Sequence, residues 1–218
     1  MTSATIQYGP GASEHDLRLL GVAPGHRMLD LGDRSPDAAI ALAAGGAHVI
    51  AVRDTAAGIT AGQAATTAAR VSVEWYEADR AELAFCRAES IDAVVAVDGF
   101  GRADDLDRVL RSAHRVLKPE APLVFTLPHP MLLATEAELG GGTGVTATVA
   151  RDYADPTPRT LPPPEEALTV HPHTIAEVFA SLQRAGFRVD QVLEPDDPDD
   201  PSPRIPPIVI FRGRKLGN

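Results

Sequence analysis

The sequence is poor in cysteine and aromatic residues, and it contains no long hydrophobic run. Cys86 is its one cysteine among 218 residues, which excludes an internal disulfide and argues against a cysteine-based zinc site. No apolar run approaches the ~20 residues that a membrane helix needs. The first residues lack the basic and apolar regions of a signal peptide. These absences predict a cytoplasmic protein that does not enter a membrane.

Positive charge is also scarce, since 20 Lys and Arg residues face 30 Asp and Glu residues and the formal net charge is −10. Proteins that bind nucleic acid normally carry a dense basic patch, and the sequence has only the short stretch 212–215. We therefore expect a small-molecule partner and no nucleic-acid partner, and the sequence leaves a homodimer open. The length suits one domain over residues 1–218.

The first half of the chain alternates between strand patterns and helix patterns. Short apolar runs predict strands at 27–31, 48–52, 71–76, 91–97 and 123–127. Helical periodicity predicts helices at 37–44, 56–70 and 106–117, and Ser13 is expected to cap a shorter helix that ends at Gly21. Strands separated by helices of this length indicate βαβ units and a mostly parallel sheet with helices on both faces.

The second half begins with a break in this pattern. Residues 131–170 include a run of three glycines and a run of three prolines, so they are interpreted as a long cover or lid insertion. Regularity returns at Thr174, which forms a capping box with Glu177 and begins a helix that Gly186 is expected to stop. Two further strands, 187–193 and 205–212, complete the sheet.

The segment from Met28 to Gly32 is the most informative one, because an apolar strand there ends in Asp-x-Gly and turns into a helix. Ser35 and Pro36 are interpreted as the N-cap and first residue of that helix. In an open parallel sheet, ligands bind beyond the carboxyl ends of the strands. Glycine at such a turn allows the backbone to approach a ligand closely. The segment therefore predicts a ligand site at this edge of the sheet.

The order of several weak motifs resembles the class I S-adenosylmethionine-dependent methyltransferases of the bacterial small-molecule type. The segments that carry the resemblance are Tyr8-Gly9-Pro10-Gly11, Leu29-Asp30-Leu31-Gly32, Glu77-Ala78-Asp79 with Leu83 and Phe85, Ile91-Asp92-Ala93-Val94-Val95, and Arg115-Val116-Leu117-Lys118-Pro119. His129-Pro130, the Tyr153 region and Ala185-Gly186-Phe187 resemble a subgroup with an inserted cover segment. The resemblance implies a Rossmann-like α/β fold that closes with a C-terminal antiparallel hairpin, an ending that periodicity alone does not establish.

The resemblance further implies methyl transfer from S-adenosylmethionine to a small-molecule acceptor. The residues that it places around this cofactor are Asp30, Gly32, Arg34, Asp54, Asp79 and Asp98. His129 is the candidate general base, because the unperturbed pKa of histidine is near neutral. Each role has a structural alternative: Asp30 could satisfy loop N–H groups, Asp79 could cap a helix, Asp98 could make a turn, and His129 could be a fixed loop residue. A metal site on His129, His171 and His173 is not predicted, since no carboxylate lies at ligand spacing.

Two departures from the family pattern concern the cofactor motifs. Arg34 and Pro36 stand where the family has the second and third glycines of its loop, and Arg34 could either clamp the cofactor carboxylate or block its site. Arg53 stands where the family has an acid for the ribose hydroxyls, with Asp54 one residue later, where a bulge could restore its direction. The alternative hypothesis is a protein of this fold that has lost methyl transfer and either binds and regulates or catalyses another reaction. An NAD-dependent dehydrogenase is disfavoured, because no Gly-x-Gly-x-x-Gly pattern is present.

Overall fold

The computed structural model describes residues 5–33, 35–139, 145–161, 168–196 and 205–217. In these ranges the helices are α1 (Glu14–Leu17), α2 (Asp37–Ala44), α3 (Ala56–Ala69), α4 (Leu106–Val116), α5 (Pro130–Ala134) and α6 (Ile175–Arg184), with a 3-10 turn at Phe100–Arg102. The strands are β1 (Gln7–Gly9), β2 (Ala12–Ser13), β3 (Arg27–Asp30), β4 (His48–Arg53), β5 (Val73–Glu77), β6 (Ala93–Ala96), β7 (Pro122–Pro128), β8 (Thr135–Leu139), β9 (Val145–Val149), β10 (Arg159–Leu161), β11 (Leu168–Val170), β12 (Phe187–Leu193) and β13 (Ile208–Lys215).

A seven-stranded sheet in the order β12-β13-β7-β6-β3-β4-β5 forms the centre of the fold. The pairs β7-β6, β6-β3, β3-β4 and β4-β5 are parallel, whereas β13 runs antiparallel to both β7 and β12. The predicted Rossmann-like sheet with a C-terminal antiparallel hairpin is therefore confirmed. Because β3, β4, β5 and β6 are parallel, their carboxyl ends meet at one edge, where the loops after them converge.

Alternate residues of the strands divide the core between the two faces of the sheet. Met28 belongs to the apolar cluster that contains α2 and the N-terminal strands, whereas its neighbour Leu29 belongs to the cluster that contains α4 and α6. The predicted apolar stripe of α4 is buried, as its residues Leu106, Val109, Leu110, Ala113 and Val116 show. Helices on both faces follow directly from this alternation, because every central strand is apolar on both sides.

Two predicted helix boundaries are wrong, and side-chain hydrogen bonds explain the difference. Helix α1 ends at Arg18, which has a left-handed backbone, and not at Gly21. The carboxylate of Glu14 accepts the N–H groups of Leu19, Leu20 and Gly21, and so it holds the chain outside the helix. Helix α2 is capped by Pro36 and not by Ser35, whose hydroxyl accepts the N–H of Asp37 instead.

The segment 131–170 contains more regular structure than its composition suggests. Its described parts include most of α5 and two antiparallel pairs, β8-β9 and β10-β11. Its glycine and proline runs lie outside the described residues. The capping box at Thr174 and the stop at Gly186, which has a φ of 85°, are both confirmed. Among the described residues, no helix has both the length and the apolar character needed to cross a membrane.

The carboxyl ends of β3 and β6 approach each other closely enough to require glycine. A Cβ atom at Gly99 would lie 2.0 Å from the carbonyl oxygen of Leu31, although the backbone of Gly99 is in the ordinary right-handed region. The ladder also continues past the strands, since the Asp33 N–H donates to the Val97 carbonyl at 3.2 Å. The loop after β3 is thus fixed against the end of β6.

We expect Gly99→Ala to destabilise the protein by about 1–3 kcal/mol, because the new methyl group would overlap a backbone atom that cannot rotate away. Thermal unfolding measures the loss. Gly217→Ala is the control, since no atom lies within 4 Å of its added Cβ. Equal melting temperatures for the two variants would contradict the close approach.

Candidate functional site

Two cavities lie at the carboxyl edge of the sheet. The first, of about 270 Å³, is bordered by α2 and the N-terminal segment and is lined by Asp30, Gly32, Asp37, Val97 and Asp98, among others. The second, of about 340 Å³, is bordered by α4 and is lined by Asp54, Asp79, Arg80, Arg102, Asp105 and Arg108, among others. The structure therefore brings five of the predicted site residues, Asp30, Gly32, Asp54, Asp79 and Asp98, to this edge.

Among the described residues that line the first cavity, the charged ones are Asp30, Asp37 and Asp98, all of them acidic. Asp98 has a φ of 57°, and its N–H donates to the buried Thr126 hydroxyl at 2.9 Å. Gly32 is necessary for the shape of the wall, because a Cβ there would lie 2.9 Å from Asp30 Oδ1. Such a cavity suits a ligand group with positive charge.

Asp30 itself is fully buried and is neutralised by Arg53. The Arg53 Nη2 donates to Asp30 Oδ2 at 2.9 Å and to the Ser35 carbonyl at 3.0 Å, while Asp30 Oδ1 accepts the Gly32 N–H at 2.8 Å. The Arg53 guanidinium carbon also lies 5.1 Å from the centre of the Trp75 ring. The pair therefore ties the loop after β3 to the ends of β4 and β5.

The direction of the Arg53 side chain explains how Asp54, the next residue, reaches the second cavity. Arg53 points to the face of α2, on which Asp30 lies, so its neighbour Asp54 points to the other face and lines the second cavity. The pairing of β4 with β5 runs without a shift up to Arg53 and Glu77. No bulge is needed: Asp54 is the first residue after the strand.

An ion-pair network that sequence reasoning missed lies at the second cavity, where three of its four residues belong to the lining. Arg80, which is 6% exposed, donates to Asp33 at 2.6 Å, to Asp54 at 3.2 Å and to the Leu31 carbonyl at 3.1 Å. Arg102 donates to both oxygens of Asp33, at 2.8 and 2.7 Å. We name Asp33, Arg80, Arg102 and Asp54 the charge bridge. Its one signal in the sequence was that Arg80 follows the motif residue Asp79.

Asp79 borders the second cavity, but its carboxylate already makes a turn. Its Oδ1 accepts the Ala81 N–H at 2.8 Å, and its Oδ2 lies 3.5 Å from Arg108. About half of its side chain is exposed, so the second oxygen is accessible to a ligand. Asp79 therefore makes a turn and caps no helix of the described structure, and its binding role stays a prediction.

His129 caps α5 and lies in neither cavity lining. Its Nδ1 accepts the Met131 N–H at 3.2 Å, so in the neutral ring Nε2 carries the proton and donates to Glu194 at 2.8 Å. The ring is buried. To act as a general base, His129 would have to give up one of these bonds, and its catalytic role stays a prediction.

The other two histidines that were considered for a metal site, His171 and His173, lie in the loop before α6. The His171 N–H donates to the Gly101 carbonyl, and burial lowers the pKa of His173. Within the described ranges, no three His, Cys, Asp or Glu side chains are grouped closely enough to hold a metal ion. Arg34 lies outside the described residues, so both its clamping role and its blocking role stay predictions.

Comparison with known proteins agrees with this geometry. Residues 29–125 match the family described as methyltransferase domain. A 110-residue part of the chain is 34% identical to the ubiquinone biosynthesis O-methyltransferase of Hahella chejuensis, and it covers 47% of this chain and 43% of that protein. The chain thus spans less than half the length of this curated relative.

Solved structures share the fold over almost the whole chain. An S-adenosylmethionine-dependent methyltransferase from Mesorhizobium loti has a TM-score of 0.74 at 20% identity, with 91% of this chain and 95% of that chain covered. One from Aquifex aeolicus has a TM-score of 0.62 at 17% identity, with 93% and 89% covered. The [4+2]-cyclase SpnF has a TM-score of 0.63 at 15% identity, with 92% and 78% covered.

The sheet order, the site at its carboxyl edge and these likenesses define a protein with the Rossmann-like methyltransferase fold. More particularly, residues 29–125 match the family model described as methyltransferase domain, and solved structures that share the fold are described as S-adenosylmethionine-dependent methyltransferases. S-Adenosylmethionine is the cofactor that these matches imply.

We expect Arg53→Met to lower the stability by about 3–5 kcal/mol, because it leaves the buried Asp30 carboxylate without its partner. Chemical denaturation at neutral pH measures this loss. Arg188→Met is the matched control: its pair with Glu120 is exposed on both sides, so a change of about 0–1 kcal/mol is expected there. Similar losses of stability in both variants would contradict the larger contribution that we assign to the buried Asp30 pair.

We expect His129→Asn to leave the methylation rate within about tenfold of the parent, because asparagine keeps a cap for α5 and the ring faces neither cavity. Single-turnover kinetics with the acceptor, once it is known, measures the rate. A general base contributes roughly 10²–10⁴-fold. A loss of that size, without a fall in melting temperature, would support the catalytic role.

Proposed function

We propose that the protein transfers the methyl group of S-adenosylmethionine to a small-molecule acceptor in the cytoplasm. The observation that carries the proposal is the acidic lining of the first cavity beyond β3 and β6, where Asp37 and Asp98 are lining residues in addition to the Asp30 that Arg53 neutralises. The methionyl end of S-adenosylmethionine carries a sulfonium, an ammonium and one carboxylate, so its net charge is positive. The acidic cavity suits that end, and the second cavity offers Asp54 and Asp79 to the hydroxyl and amino groups of the nucleoside end.

The cofactor supplies a methyl group that is electrophilic because it is bonded to a positive sulfur. The chain's own contribution is to hold the reactants in line, which is where most of the acceleration of such a displacement arises. The loop from Leu31 to Asp33 is fixed by hydrogen bonds to Val95 and Val97, and Arg53 holds Asp30 beneath it. The protein's own hydrogen bonds therefore hold this wall in shape.

The position of the cover segment supports the choice of a small acceptor. Residues 131–170 follow β7, and Tyr153 of this segment lies at the N-terminus of α6, where its hydroxyl accepts the Ile175 N–H. His171, which follows the segment directly, bonds to Gly101 beside the second cavity. We infer that the segment covers the acceptor and excludes bulk water from it. The O-methyltransferase relative agrees with an oxygen acceptor.

The charge bridge favours a second candidate function. Arg80 connects Asp33 with Asp54, and both Arg80 and Asp54 line the second cavity. A ligand that fills only the first cavity would not disturb this bridge. The protein would then bind a smaller molecule or catalyse another reaction on the same fold, on which a structure described as a cyclase is also found.

We expect titration calorimetry with S-adenosylmethionine and S-adenosylhomocysteine to give dissociation constants near the micromolar range, which corresponds to about 8 kcal/mol. Only S-adenosylmethionine carries the sulfonium charge, so its affinity depends more on the acidic residues of the first cavity. Asp98→Asn should therefore weaken S-adenosylmethionine more than S-adenosylhomocysteine, and asparagine tolerates the left-handed backbone at this position.

Asp92→Asn is the control for this titration, because Asp92 pairs with Lys118 just before β6, at the opposite edge of the sheet. It should change neither affinity. If neither ligand binds the parent protein, the methyltransferase proposal fails and the second candidate takes its place.

A further inference from the structure

The charge bridge occupies the carboxylate that the nucleoside end of a cofactor would need. Arg80 Nη1 donates to Asp54 Oδ2 at 3.2 Å. Asp54 lies one residue after the position at which the family that this sequence resembles has an acid for the ribose hydroxyls. A carboxylate that already accepts from a guanidinium accepts ribose hydroxyls less readily, since the two donors compete for the same oxygens. Ligand binding at Asp54 therefore involves Arg80.

The two ends of the bridge differ in strength. Arg80 Nη2 donates to Asp33 at 2.6 Å, and the side chains of both residues are less than a tenth exposed. Its contact with Asp54 is longer, and 36% of the Asp54 side chain is exposed. Because a partly exposed pair is screened by water and a buried one is not, the Asp54 contact is the one that opens.

Further hydrogen bonds keep Arg80 in place when that contact opens. Its Nε donates to the Leu31 carbonyl at 3.1 Å, and its Nη2 reaches the Gly32 carbonyl at 3.5 Å. Gly32 lines the first cavity, whereas Arg80 and Asp54 line the second. The guanidinium of a residue that lines the second cavity therefore also contacts a residue that lines the first.

We propose that Arg80 is the specificity-determining residue of the nucleoside half of the site: it holds Asp54 in the free protein and releases it to a ribose diol. The inference rests on the proposed function in taking the ligand to be a nucleoside sulfonium. A ligand that lacks a pair of vicinal hydroxyls cannot replace the guanidinium at Asp54. The bridge therefore selects for ribonucleosides over 2′-deoxyribonucleosides.

The test is calorimetric titration of the full chain with adenosine and 2′-deoxyadenosine, which are uncharged and so report on the second cavity alone. We compare the parent with Arg80→Lys and Arg80→Met. A lysine ammonium is a single point charge that stays with the buried Asp33, and so it leaves Asp54 to the ligand. Both variants should bind adenosine about two- to fivefold more tightly, as expected for the loss of a competing, partly exposed ion pair.

Salt gives a second readout that needs no variant. Raising the ionic strength should tighten the binding of neutral adenosine to the parent, because it weakens the pair that competes with the ligand. In Arg80→Lys this dependence should disappear. Arg115→Met is the control: Arg115 also donates to two backbone carbonyls, of Cys86 and Leu83, but it lines neither cavity.

The outcomes separate this inference from the proposed function. Adenosine affinity that is unchanged or lowered in Arg80→Lys, with its melting temperature retained, overturns the role of Arg80. Equal affinities for adenosine and 2′-deoxyadenosine in the parent also overturn it. If the parent fails to bind S-adenosylhomocysteine but Arg80→Lys binds it, the bridge acts as inferred and the cofactor proposal fails for the native chain.

Discussion

The buried pair of Arg53 with Asp30 is the interaction on which the geometry of the site depends. It places opposite charges on adjacent strands, on the same face of the sheet, where neither side chain reaches water. A buried carboxylate is tolerable only with a partner and with its remaining lone pairs satisfied. Arg53 and the Gly32 N–H provide both. Through the Ser35 carbonyl, the same guanidinium also determines where the loop turns into α2.

Charged side chains hold the loop after β3 in place. The loop carries Asp33, and one arginine from each of the loops after β5 and β6 pairs with its carboxylate. The carboxyl ends of three strands are thereby connected by one carboxylate. A hydrogen-bonded network of this kind rigidifies the edge of the sheet, because its members satisfy one another away from water.

The sequence predicted most of the fold, because the signals of the fold are local. The stripe of α4, the capping box at Thr174 and the apolar strand β6 each depend on residues within a few positions of one another. The charge bridge could not be predicted in this way. Arg80 and Asp33 are 47 positions apart, and only the packing of the strands brings them together. Nothing in composition or periodicity distinguishes Arg80 from any other arginine near a turn.

The position of β13 has a consequence for how the chain reaches its final state during synthesis. This strand is the last in sequence, yet it lies inside the sheet, between β7 and β12. Until it has left the ribosome, β7 exposes an unpaired edge and β12 has no neighbour to pair with. At about 5–20 residues per second, that interval lasts several seconds after β7 is made. During this interval the nascent chain exposes a hydrophobic sheet edge, which favours its binding to chaperones.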